Sequence, residues 1–100
     1  MNKIVINNIE YKYKYSIRAL FIFEKIAGKV FSLNGLMDFY IFYYSMILAN
    51  NPDAVLSFDE FIDACDENPE ISIEFSSYLD AYFKKQEQLN PSKEDNSKKK

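Results

Sequence analysis

Residues 36–49 read LMDFYIFYYSMILA, and this stretch decides the fold. It carries one charge, Asp38. Placed at 100° per residue, its apolar side chains cover nearly the whole circumference of a helix, and Asp38 and Ser45 mark a narrow polar strip with Ala49 beside it. A helix that is apolar on nearly all sides is buried on nearly all sides. It is therefore either the central pillar of a small core or a pillar with one side reserved for another chain, and the polar strip is the part expected to meet water. The run is short of the roughly 20 apolar residues that a membrane span needs.

Outward from this helix, the sequence predicts an α+β fold, mostly α. Upstream, Lys3 to Ile6 and Ile9 to Tyr15 are rich in β-branched and aromatic residues. In the second run Ile9, Tyr11, Tyr13 and Tyr15 alternate with Glu10, Lys12 and Lys14. Asn7-Asn8 suits a two-residue turn, because Asn tolerates positive φ. The expectation is a β-hairpin whose tyrosine face must pack on helices or on another chain, since two strands alone are marginal. Ser16 then caps a helix from Ile17 to about Gly28, with Gly28 as its stop. Arg18, Lys25 and Lys29 cluster on one side of it. Ile17, Leu20, Phe21, Ala27 and Phe31 form an apolar stripe that includes Glu24, a carboxylate that wants a partner there.

Downstream, Ser32 or Asn34 can cap the aromatic helix, and Asn50-Asn51-Pro52 ends it. Ser57 and Glu60 form a capping box for a short third helix, with Leu56 stapled onto Phe61. Its apolar side holds Phe58, Phe61, Ile62 and Cys65, and its acidic side Asp59, Glu60, Asp63, Asp66 and Glu67. Asn68-Pro69 stops it and starts a fourth helix to about Gln86, with a stripe of Ile71, Phe75, Tyr78, Leu79 and Tyr82. The organisation expected is one domain over residues 1–86, a hairpin packed on about four helices, followed by a disordered polar tail over 87–100.

Composition narrows the function. The 100 residues include seventeen aromatics, all before residue 84, a large apolar load for so small a body. This surplus favours self-association or a partner groove. The net charge of −3 conceals an asymmetry: residues 51–83 hold nine acids and no base, while the stretches on either side carry six basic and three acidic groups each. Opposed charge within one chain fits two readings: the acids simply solubilise one face, or copies meet head to tail, with Arg18, Lys25 and Lys29 against Asp59, Asp63 and Asp66. The basic residues are too few and scattered to follow a phosphate backbone, so no nucleic-acid partner is expected. The lack of a signal-peptide pattern and the single Cys65 point to a reducing, cytoplasmic setting.

Catalysis has little footing. There is no His to serve as the usual base for a Ser or Cys nucleophile. Cys65 lies on the apolar side of its helix and reads as a core thiol. Gly28 and Gly35 are the only glycines, too few for a phosphate-cradling loop. The acids from Asp59 to Glu70 follow helical spacing and lack the glycine of a calcium loop, so they read as a solvated face. No enzyme activity, cofactor or metal is expected. Tyrosine, with a broad apolar body and a polar tip, suits surfaces that are wet at one time and buried at another. On that ground Tyr11 and Tyr13 of the hairpin and Phe39, Tyr40, Phe42, Tyr43 and Tyr44 of the aromatic helix form the candidate partner-binding surface.

The stretch IVINNIEYKYKYSIRALFIFEKIAGK resembles the start of the small tail assembly chaperones of long-tailed, siphovirus-type bacteriophages and prophages. A hairpin built on I.ING..Y leads there to F.IRAL..FE...G and a helical body. The matching elements are Ile6-Asn7-Asn8, Ile17-Arg18-Ala19-Leu20, Glu24 and Gly28. The later pattern L..Y..L.ANNP…LS.DEF.D..DENP is also similar, so the resemblance covers residues 3 to about 85. It implies a non-enzymatic chaperone of the bacterial cytoplasm. Such a protein binds apolar helical segments of the tape measure protein and helps to recruit tail tube protein; the aromatic surplus and the opposed charges add the expectation of a homo-oligomer. Many of these chaperones also have a longer form made by ribosomal frameshifting. Consecutive Lys98-Lys99-Lys100 can be encoded by a slippery adenine run; a coding sequence that interrupts those adenines would remove this expectation. The alternative is a small cytosolic adaptor or inhibitor that binds one host protein.

Overall fold

The computed structural model describes residues 2–88. The chain is α+β and mostly helical: β1 (Asn2–Ile6), β2 (Ile9–Tyr13), α1 (Ile17–Ala27), α2 (Leu36–Asn50), α3 (Phe58–Glu67) and α4 (Pro69–Gln88). It falls into two compact units, one through Asn68 and the other from Pro69. The expected polar tail lies outside the described residues from position 89 on.

The strands pair antiparallel with Ile6 opposite Ile9, Ile4 opposite Tyr11 and Asn2 opposite Tyr13. Asn7 and Asn8 both take positive φ, 53° and 66°, as a turn matched to the twist of a two-residue hairpin requires. Ile4, Ile6, Tyr11 and Tyr13 form the buried face. Ile9, expected on that face, is half exposed at its end. Tyr15 lies beyond the strand.

α2 is the pillar of the first unit, and every residue from Ile41 to Ile47 is buried. Three neighbours cover it. Phe42 meets Phe23 of α1 and Phe31 of the following loop, with ring centroids 6.3 and 4.9 Å apart. Tyr43 stands edge-on to Tyr13 of the hairpin and to Phe61 of α3, each at 5.1 Å. Tyr44 packs on Phe58 and Phe61, and its hydroxyl donates to the Leu56 carbonyl at 2.6 Å.

The polar strip of α2 is not on the surface, contrary to expectation. Ser45 is fully buried and its hydroxyl donates to the Ile41 carbonyl one turn back, which satisfies it without water. Asp38 is buried too, because its carboxylate closes the start of the helix. It accepts from Lys29 Nζ at 2.7 Å and from the Asn34 backbone N–H at 2.9 Å. Neither Ser32 nor Asn34 caps α2: the cap is Gly35, at φ 101°, with no side-chain cap bond. The signal for this lay in the sequence, since an acid three residues after a glycine fits the third position of a first turn, where it can reach back to unpaired backbone N–H groups.

α1 also turns differently from the expected stripe. Its buried residues are Ala19 and Phe23, while Ile17 and Phe21 are exposed. Apolar residues cover more of this helix than one contact with α2 can bury, so part of them faces outward. Glu24 is satisfied by the Phe31 backbone N–H at 2.8 Å. Gly28 ends the helix in the left-handed conformation at φ 72°. α3 carries the expected capping box, with the Ser57 side chain and the Glu60 backbone N–H, and the Glu60 side chain and the Ser57 backbone N–H, bonded reciprocally. Leu56 and Phe61, at the staple positions, are both buried.

Asn50 and Asn51 do more than end α2. Asn51 Nδ2 donates to the Lys12 carbonyl at 2.7 Å, and its Oδ1 accepts from the Lys12 N–H at 3.2 Å. Asn50 Nδ2 donates to the Lys14 carbonyl at 3.1 Å. The last turn of α2 is thereby fastened to the outer edge of β2. Nothing local in the sequence announces these bonds.

In the second unit, α4 starts with Pro at its first position and runs to Gln88, slightly beyond the expected end. Ile71, Phe75 and Leu79, spaced four apart, are its buried residues. Tyr78 and Tyr82 are half-buried.

Candidate functional site

An apolar groove opens in the first unit between the start of α2 and the face of α3. Its volume is about 600 Å³, and Leu36, Met37, Tyr40, Phe58, Ile62 and Cys65 line it, with Asp59 and Asp66 at its edge. Leu36 and Met37 are 73% and 64% exposed. They lie on the first turn of α2, on a different side from buried Asp38. Ile62 and Phe58 are half-buried, while Asp59 and Asp66 are exposed. The acids hold one edge because α3 is sharply amphipathic, with its apolar side turned toward α2.

The candidate partner-binding aromatics divide unequally. Tyr11, Tyr13, Phe42, Tyr43 and Tyr44 are buried within the chain's own core and present no open surface, contrary to the expectation that they do. The reason is packing: Tyr13, Phe42, Tyr43 and Tyr44 meet one another or the rings of α1, the loop after it and α3. Phe39 and Tyr40 are half-buried, and Tyr40 reaches the groove. Sequence reading missed Leu36 and Met37. The usable signal was their place on the first turn of an all-apolar helix, on the side away from the one charge, Asp38.

Electrostatics sharpen the site. Burial pushes the Tyr44 phenol above its ordinary value, and the neighbouring Glu60 charge adds to the shift. Its proton therefore stays in place to bond Leu56. The Asp38 carboxyl is held below its ordinary 3.8, first by the Lys29 hydrogen bond, then by the Asn34 N–H, with burial opposing both. Lys29 is thus engaged within the chain. Arg18, Lys25, Asp59, Asp63 and Asp66 are exposed, and none has a charged partner among the described residues. The three cations of the expected oligomer contact therefore do not act alike.

The groove is mainly apolar, with the Cys65 thiol and the Asp59 and Asp66 carboxylates as the ionisable groups of its α3 side. Cys65 is buried and forms no disulfide among the described residues. Among the described residues no group of three His, Cys, Asp or Glu side chains is placed to hold a metal ion. Among the same residues no helix is long and apolar enough to cross a membrane. No family model matches the chain, and neither does a curated protein or a solved structure.

Proposed function

We propose that the chain is a non-enzymatic tail assembly chaperone of a long-tailed bacteriophage or prophage, acting in the bacterial cytoplasm. It would bind apolar helical segments of the tape measure protein, promote addition of tail tube protein, and work as a homo-oligomer. The observation that carries this reading is the α2–α3 groove, where exposed Leu36 and Met37 continue into Tyr40, Phe58 and Ile62 beneath an acidic edge. An amphipathic helix with an apolar face and a basic flank fits such a groove. The resemblance over residues 3 to about 85 supplies the identity of the client.

The client site is therefore moved from the buried tyrosines to the groove. Co-expression with a tape measure protein tests it: the client stays soluble and co-purifies with the chain. The Leu36→Asp/Met37→Asp variant, altered only at exposed positions, keeps the circular dichroism of the parent and loses the client. A client that stays insoluble, with nothing co-purifying, ends the chaperone reading. Gene neighbourhood separates the adaptor alternative, which lacks a very long helix-rich reading frame directly downstream.

A further inference from the structure

α1 leaves an apolar ridge uncovered: Ile17 and Phe21, one turn apart, are 65% and 67% exposed. Arg18 and Lys25 run along one flank of it, seven residues apart. Seven residues are nearly two whole turns, so the two cations lie on one line, roughly 10 Å apart along the axis. α3 repeats this arrangement with the opposite charge. Phe58, Asp59, Ile62 and Asp66 stand at the same intervals as Ile17, Arg18, Phe21 and Lys25. There the apolar members line the groove and the acids form its edge.

Equal spacing on two helices has a geometric consequence. When they face each other antiparallel, both charged edges fall on the same side of the contact and both apolar edges on the other. Arg18 then faces Asp66, Lys25 faces Asp59, and Phe21 enters the groove beside Ile62. Parallel packing would set each charged edge against an apolar one. The ridge cannot fill the groove of its own chain: Phe21 is exposed, and α1 packs on α2 through its other side, at Phe23 and Phe42.

We propose that α1 of a second copy of this chain docks antiparallel to α3, across the α2–α3 groove, so that copies join head to tail. The two surfaces differ, so each copy keeps a free ridge at one end and a free groove at the other, and the assembly grows beyond a dimer. This deepens the self-association within the proposed function and is independent of the client's identity. A client helix and a second copy would compete for one groove.

Charge exchange tests the docking. All four charged residues are exposed, and circular dichroism verifies that each variant is folded. In sedimentation at about 50 mM salt, the unaltered chain forms oligomers that dissociate at about 500 mM, where exposed charges are screened. Arg18→Glu/Lys25→Glu has an acidic ridge and an acidic groove edge, and is monomeric. Asp59→Lys/Asp66→Lys is basic at both and is monomeric too. Mixed, the two assemble again. Register is read from single exchanges: Arg18→Asp is rescued by Asp66→Arg in the mixed partner and not by Asp59→Arg. A monomeric parent at low salt overturns the proposal, as does a folded first variant that still assembles, or a mixture that does not. If assembly behaves as expected and the tape measure protein fails to bind, only the client reading falls; if the client binds to a monomeric chain, only the docking falls.

Discussion

α2 and α3 sit side by side, yet they are held in place by different physics. α2 has no side-chain cap at its start, and its residues from Ile41 to Ile47 are buried by three neighbouring elements. α3 is short and half-exposed, and its first turn is closed locally by Ser57 and Glu60. One helix depends on the rest of the molecule; the other carries its own start signal. The open groove lies where α2 begins and amphipathic α3 runs past it, apart from the stretch of α2 that carries the core.

Substitutions can break this comparison. The largest effect is expected at Phe42→Ala, where a fully buried ring that meets Tyr15, Phe23 and Phe31 is removed. About 3–5 kcal/mol should be lost in denaturant unfolding, with Phe58→Ala on half-buried α3 costing clearly less. Equal losses would mean that α2 is no more dependent on packing than α3. Next comes Asn51→Ala, which deletes both bonds to Lys12 at once. Roughly 1–3 kcal/mol is expected, together with faster hydrogen exchange at the Lys12 amide while the Tyr11 amide, inside the hairpin ladder, changes less. Ser57→Ala removes the α3 cap and should cost about 1 kcal/mol. Restoring Asn or Asp there recovers most of it.

The mildest test uses pH. Asp38 has a lowered pKa in the fold, so its contribution is complete above the ordinary carboxylate value and is lost as pH falls through the lower folded one. In thermal melts over the acid range, Asp38→Asn should flatten that part of the profile. An unchanged profile would show that the Lys29 contact at the start of α2 adds nothing to stability.

Local features were the readable ones. Asn7-Asn8, Ser16, Gly28 and the Ser57–Glu60 box each act within a few residues, and their chemistry is visible in the order of the chain. The ends of the helices therefore lie close to where the sequence sets them. Orientation was harder. α1 holds enough apolar residues for two faces, and nothing within it says that Phe23, not Phe21, meets Phe42. In α2 the polarity of Asp38 and Ser45 argued for water, but both are satisfied inside, one by Lys29 and Asn34, the other by its own preceding turn. The aromatic surplus was legible as a sign of exposed apolar area, though the residues that carry it were not. Tyr11, Tyr13, Tyr43 and Tyr44 went inside, and Leu36, Met37, Ile17 and Phe21 stayed out.

The clasp at Asn51 bears on how the molecule treats foreign strands. A side-chain amide offers one donor and one acceptor at nearly the spacing of a peptide unit, so Asn51 acts as a one-residue strand laid against Lys12. The outer edge of β2 is thereby blocked as a template for another extended chain, a hazard that small sheets must meet in some way. Losing that amide would give the hairpin a second adhesive margin. Asn51→Ala should therefore form thioflavin-positive aggregates on prolonged warming, at temperatures where the parent stays clear.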